Sequence, residues 1–192
     1  IIGSEKQFFY RNKLEYTCSD NRWLPKEMID GNDFVKEPGV GFHIPGMFDK
    51  VLDIHKCHLQ PDPSNAIRLF VKEYALKHEL SFFNLRTHEG FLRNIIVRNT
   101  SIGEWMVIIS VFEDKPELYN PLLESMSVQF PEITALLYVI NPKHNDTIND
   151  LFVQCFKGRE YIVEQMSGLQ FRVGSKSFYQ TNSRQAYQLY SI

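Results

Sequence analysis

Apolar residues recur along the chain in short, separated blocks, and the period inside each block predicts an element. Phe8 to Thr17 (FFYRNKLEYT) reads as a strand with bases mixed into it. Asp20 to Pro38 is polar and carries Pro25, Gly31 and Pro38, which marks a loop or loose hairpin. A second strand is expected from about Gly41 to Ile54, interrupted by a turn at Ile44-Pro45-Gly46. The period then becomes helical. Asp62 stands as N-cap and Pro63 at the first helical position; Ile67, Phe70, Val71 and Tyr74 form one face, and Arg68, Lys72, Glu73 and Lys77 the other.

A hairpin follows, with strands Phe91–Arg98 and Glu104–Phe112 joined by a turn at Asn99–Gly103, and Trp105, Val107, Ile109 and Val111 alternate along one face. A second helix is expected after Asn120, with Pro121 in its first turn, Leu122, Leu123 and Met126 inward, and Pro131 as its end. Ile133 to Ile140 is almost wholly apolar, as in a central strand. The predicted fold class is α+β: a ferredoxin-like β-α-β-β-α-β module over about residues 41–140, with extra antiparallel strands at both ends.

After Asn141 the texture changes. Residues 141–146 read as a loop, Lys157-Gly158-Arg159 and Ser167-Gly168 as turns between short strands, and Ser183 to Tyr190 as a helix preceded by a cap. That helix has about two turns and no C-cap, shorter than the ~10–14 residues usual in globular proteins, and is expected to be cut. The start at Ile1 without a Met likewise suggests a trimmed end. The expected division is a domain over residues 1–176, then a linker and the start of a second domain over 177–192.

Composition narrows the function classes. A chain of 192 residues with 43% apolar and 23% charged content can bury a sizeable core and is not of the disordered class. The net charge of −2 excludes a uniformly basic nucleic-acid glove, although residues 157–184 hold five bases against two acids. Aromatic content is high at 14%, which suits either a Phe-rich core or rings exposed for base stacking. Cys18, Cys57 and Cys155 are odd in number and far apart, so no disulfide framework is expected and a cytoplasmic location is. No apolar run approaches the ~18–20 residues of a spanning helix, and no signal peptide is visible.

Candidate chemistry is sparse. Glycine-rich dinucleotide and phosphate loops are missing, as are the zinc-protease and nucleophile-elbow motifs. His55-Lys56-Cys57-His58 puts three metal-capable side chains in four residues, where a metal site normally needs four ligands; structural roles for these side chains are the plainer alternative. Arg11-Asn12-Lys13, flanked by Phe9, Tyr10 and Tyr16, combines bases and rings as phosphate contact with stacking requires, or else blunts an edge strand; Arg93 and Arg98 extend that surface. Ser177-Phe178-Tyr179-Gln180-Thr181-Asn182 places amides, hydroxyls and rings just before a helix at a domain junction, as a ligand site or as an aromatic plug followed by a cap.

Taken together, Tyr10-Arg11-Asn12-Lys13, Gly41-Phe42-His43, Val51 to Cys57, Phe91-Leu92-Arg93-Asn94 and Ser177 to Asn182 resemble, in order and spacing, the RNA (uracil-5-)-methyltransferases, most of all the branch acting on large-subunit ribosomal RNA. The resemblance covers nearly the whole chain, and its most specific element is F-x-Q-x-N at 178–182. It implies a central α+β domain followed by the first helix of a missing Rossmann-like domain, with 23S ribosomal RNA as partner. It further implies that Gln180 contacts S-adenosylmethionine, that Phe178 lies beside a flipped uracil, and that Arg11, Lys13 and Arg93 meet RNA. Cys57 matches the last of four cysteines that hold a [4Fe–4S] cluster in some members; the other three would precede these residues, so the site is expected to be incomplete here. The family's cysteine nucleophile and its proton-removing carboxylate belong to the last domain and match nothing here, so the isolated chain is expected to be inactive. Two other readings are a non-catalytic RNA-binding module and a ferredoxin-like regulatory domain that binds a small ligand.

Overall fold

The computed structural model describes residues 3–29 and 37–192. Ile1 and Gly31, both used in the sequence reading, lie outside the described residues. The strands are β1 (Lys13–Ser19), β2 (Gly39–Ile44), β3 (Met47–Asp53), β4 (Leu92–Asn99), β5 (Trp105–Val111), β6 (Ile133–Ile140), β7 (Val153–Gly158), β8 (Tyr161–Met166) and β9 (Leu169–Gly174). The helices are α1 (Lys26–Ile29), α2 (Ser64–Lys77), α3 (Pro116–Gln129) and α4 (Ser183–Tyr190).

Seven strands form one sheet in the order β3-β2-β1-β4-β5-β6-β7, and β8 and β9 form a separate hairpin. The element order expected for residues 41–140 is present, but the ferredoxin-like arrangement is not. In that arrangement helical crossovers place parallel strands on either side of a third. Here β1 inserts between β2 and β4, pairing antiparallel with both, and among the strands named above the parallel pairing is β5 with β6. The physical reason is that β1, from the N-terminal segment, takes the edge of β4 that the module alone would leave free.

Both faces of the central strands are buried. On one face, Tyr16, Ile95, Val97, Val107 and Ile109 pack against Ile67, Val71 and Ala75 of α2 and Leu122, Leu123 and Met126 of α3. On the other, Ile96, Met106, Ile108, Leu137 and Val139 pack against Ile148, Ile162 of β8 and Val173 of β9. Two-sided burial explains why β5 and β6 read as nearly continuous apolar runs. Each fully buried branched side chain contributes about 1.5–3 kcal/mol.

Three local expectations shift. Residues 8–12 form no strand, so Arg11 and Asn12 precede β1, where a strand had been expected from Phe8. Helix α3 starts at Pro116, leaving Pro121 inside it, because Pro116 fits the first helical position and Glu117 the positive end of the dipole. Arg68, expected on the outer face of α2, is fully buried. It donates to the carbonyls of Val40 at 3.2 Å and His55 at 3.0 Å and lies over the Tyr16 ring.

Candidate functional site

Segment 177–182 leaves β9 and runs back across the start of β1, where it is pinned. The Asn12 side-chain amide donates to the Gln180 carbonyl and to Ser183 Oγ, both at 2.8 Å, and the Asn12 backbone N–H donates to the Thr181 carbonyl at 2.8 Å. Arg98 holds the upstream end, donating to the carbonyls of Gly174 at 3.2 Å and Ser177 at 2.8 Å. Asn182 caps α4 by accepting from the Gln185 N–H at 3.1 Å. Between these anchors Phe178 is 86% exposed. A large ring held in water on a segment tied at both ends is placed for contact with something else.

Beneath the segment lies a buried carboxylate. Glu164 is 1% exposed; its Oε2 accepts from Ser183 Oγ at 2.8 Å, and its Oε1 accepts from the Ser101 N–H at 3.0 Å and from the Ser101 hydroxyl. Asn12, Ser183, Glu164 and Ser101 therefore form one chain of hydrogen bonds linking the entry to β1, α4, β8 and the β4–β5 turn. Tyr179 packs against the apolar cluster of the second face, and burial, followed by the nearby Glu164, pushes its hydroxyl up to about 12.

Several hollows adjoin the segment. One of about 500 Å³ is lined by Lys13, Arg98, Asn149, Lys176, Phe178 and Tyr179 among others. A second, of about 360 Å³, lies against α4, where Gln180 meets Gln185, Gln188 and Leu189. A third, of about 260 Å³, is bounded by Arg11, Asn12, Ser183 and Arg184. Phe178 and Gln180 thus face adjoining hollows, and Thr181 borders both. The structure brings Phe178, Gln180, Arg11 and Lys13 into one neighbourhood, with Lys13 also paired to Glu15 at 2.5 Å.

Arg93, expected to extend the RNA surface, instead stands apart from these residues. It is 1% exposed; its guanidinium donates to the carbonyls of Asn141, Lys143 and Asn145 and pairs with Asp146 at 3.0 Å, with Phe83 at 4.1 Å from its centre. It staples the 141–146 loop to β4 and offers nothing to solvent. Cys57 is also buried: its N–H donates to Asn65 Oδ1 at 2.7 Å and its carbonyl accepts from Asn65 Nδ2 at 3.1 Å. His58 lies against Phe8 and Phe9. No group of three metal-capable side chains exists among the described residues, so these donors by themselves are too few for an iron–sulfur cluster or a zinc ion.

Glu164, Ser183 and Lys176 were missed by sequence reasoning. Glu164 did leave a signal: it shares a strand face with buried Ile162, a position where a carboxylate needs partners. Among the described residues no helix is long and apolar enough to cross a membrane.

No family model matches the chain. It is 56% identical over 196 residues to an uncharacterized RNA methyltransferase of Bacteroides thetaiotaomicron, a match covering 100% of this chain and 43% of the relative. A Porphyromonas gingivalis relative of the same description is 55% identical over 199 residues, with the same coverage. Among solved structures, the chain is similar to Pyrococcus abyssi tRNA (uracil-54, C5)-methyltransferase in complex with S-adenosyl-L-homocysteine. That likeness has a TM-score of 0.71 and 23% identity, over 98% of this chain and 41% of that one, and shows the fold. The chain therefore spans about two fifths of the length of the proteins it matches, and over its whole length it is similar to bacterial proteins described as RNA methyltransferases.

Proposed function

We propose that residues 1–176 are the central, RNA-recognising domain of an S-adenosylmethionine-dependent methyltransferase that forms 5-methyluridine in ribosomal RNA, and that 177–192 link it to the methyltransferase domain. The observation that carries this reading is the pinned 177–182 segment, which exposes Phe178 and sets Gln180 in a separate hollow against α4. Two adjoining sites on one short segment suit an enzyme that must bring two molecules together.

Each residue then has a role that its chemistry permits. The Phe178 ring replaces the stacking that a flipped uracil loses. The Gln180 amide hydrogen-bonds the polar part of the cofactor, which supplies the methyl group when bound. Arg11 and Lys13, on either side of Asn12, meet phosphates of the RNA. The Asn12–Ser183–Glu164 chain touches neither ligand and fixes the segment's position. The groups that attack and deprotonate uracil have no counterpart here, so the 192 residues alone are inactive.

Transfer RNA is the competing substrate, favoured by the described substrate of the Pyrococcus abyssi neighbour. Cofactor titration of the full-length protein tests the assignment of Gln180. Gln180→Ala weakens S-adenosylmethionine binding about ten-fold, as loss of a buried polar contact of roughly 1–1.5 kcal/mol requires. Unchanged affinity would remove Gln180 from the cofactor site.

A further inference from the structure

The hollow beside Phe178 holds chemistry that the methyl transfer does not use. Its floor is the second face of β1 and β4, where Lys13 lies opposite Arg98 and Glu15 opposite Ile96 in antiparallel register. Its walls are loop 146–149 and segment 175–181, and its volume of about 500 Å³ falls within the roughly 300–1,000 Å³ of small-molecule sites.

Three cations line it, and two of them, Arg98 and Lys176, make no direct ion pair among the described residues, although Glu15 acts on Arg98 and Asp150 on Lys176 at longer range. Arg98 is 6% exposed, its hydrogen bonds go to carbonyls, and its Nε is buried without a partner. Carbonyls satisfy the N–H groups without neutralising the charge, which is costly to leave buried. Lys176 donates to the Leu151 carbonyl. Of the two lining carboxylates, Glu15 is paired with Lys13 and Asp146 with Arg93. The hollow therefore attracts an anion, while Thr147 and Asn149 add neutral hydrogen-bonding groups and Tyr179 adds a ring.

We propose that this hollow seats one nucleotide of single-stranded RNA, adjoining the target uridine in the strand, with its phosphodiester toward Arg98 and Lys176 and its base edge toward Thr147 and Asn149. A charged group beside flat, hydrogen-bonding walls matches a nucleotide better than a bare anion. A duplex is too wide to enter, so the strand must be open there. The inference rests on the reading that this chain handles RNA, and adds which surface selects the sequence next to the target.

The test is binding of a short, labelled, uridine-rich single-stranded oligoribonucleotide to the 192-residue chain, followed by fluorescence anisotropy. Lys176→Glu and Asn149→Ala change exposed side chains, so both variants keep the fold, as circular dichroism will show. Lys176→Glu is expected to weaken binding about ten-fold and to flatten its salt dependence. Asn149→Ala should weaken it about three-fold by losing one base contact. Lys77→Glu, on α2 across the sheet, should leave it unchanged. Photo-crosslinks from 4-thiouridine should fall in residues 146–149 and 175–181. Absence of binding by the unmodified chain, equal affinity in Lys176→Glu, or crosslinks confined elsewhere would overturn the inference. So would competition by inorganic phosphate as effective as competition by a dinucleotide, which would leave only an anion site. Methylation by the full-length protein is read separately, so the pocket and the methyltransferase reading fail by different results.

Discussion

Asn12 and Ser183, 171 positions apart in sequence, are joined by a 2.8 Å hydrogen bond from the Asn12 amide to the Ser183 hydroxyl. The same amide holds the Gln180 carbonyl. One side chain at the entry to β1 thus sets where the C-terminal segment lies, and with it the positions of Phe178 and Gln180.

Asn12→Ala leaves the Gln180 carbonyl and Ser183 without these donors, at a cost of about 1–3 kcal/mol. Urea unfolding should show that loss, and hydrogen exchange should speed up in residues 177–183 before it does in β4 or β5. Asn12→Asp should be worse, because an acceptor would then face the Gln180 carbonyl. Uniform exchange across the chain would mean that the segment does not depend on Asn12.

Arg93→Ala removes the staple of the 141–146 loop and leaves the Asn141 and Lys143 carbonyls and Asp146 without this donor, while the Asn145 carbonyl keeps the Asn141 amide. The expected loss is about 3 kcal/mol, typical of breaking a buried charged network. RNA affinity of the folded fraction should be unchanged. A selective loss of RNA binding at full stability would restore Arg93 to the RNA surface.

The pairing of Asp49 with Arg86 at 2.6 Å, assisted by the charge of Lys50, holds the Asp49 carboxyl below the usual carboxylate range. A group whose folded-state pKa is depressed stabilises the fold above its unfolded pKa of about 3.9, and that stabilisation is lost as pH falls through the lower folded value. The stability gap between wild type and Asp49→Asn should therefore be constant at neutral pH and close below about pH 4. A gap that opened toward alkaline pH would contradict the assignment.

Much of the fold could be read locally because local pattern and tertiary position agree. The β4–β5 hairpin, β6 and the inward face of α3 appear where the period of apolar residues puts them. What failed required knowledge of distant chain. No local feature shows that β1 will insert between β2 and β4, so the module was read as ferredoxin-like. Arg68 and Arg93 were read as surface bases because arginine usually is; each is buried by carbonyls that only tertiary folding gathers around it. Of the site, Phe178 and Gln180 came from a recognisable short motif. Glu164 and Ser183 did not, because their meaning lies in a contact between β8 and α4.

Phe178→Ala removes an exposed ring, so it should leave stability within about 0.5 kcal/mol of wild type. In the full-length protein it should lower kcat/KM for RNA about 10- to 100-fold, as loss of one base-stacking contact worth 1–3 kcal/mol implies, while S-adenosylmethionine affinity holds. Equal kcat/KM would place the target base elsewhere.

The most direct test of the central proposal is nucleoside mass spectrometry after incubating the full-length protein with S-adenosylmethionine and unmodified ribosomal RNA. The proposed function predicts 5-methyluridine, formed by the full-length protein and not by the 192-residue chain alone. A methylated nucleoside other than 5-methyluridine, or none with either ribosomal or transfer RNA, would contradict it.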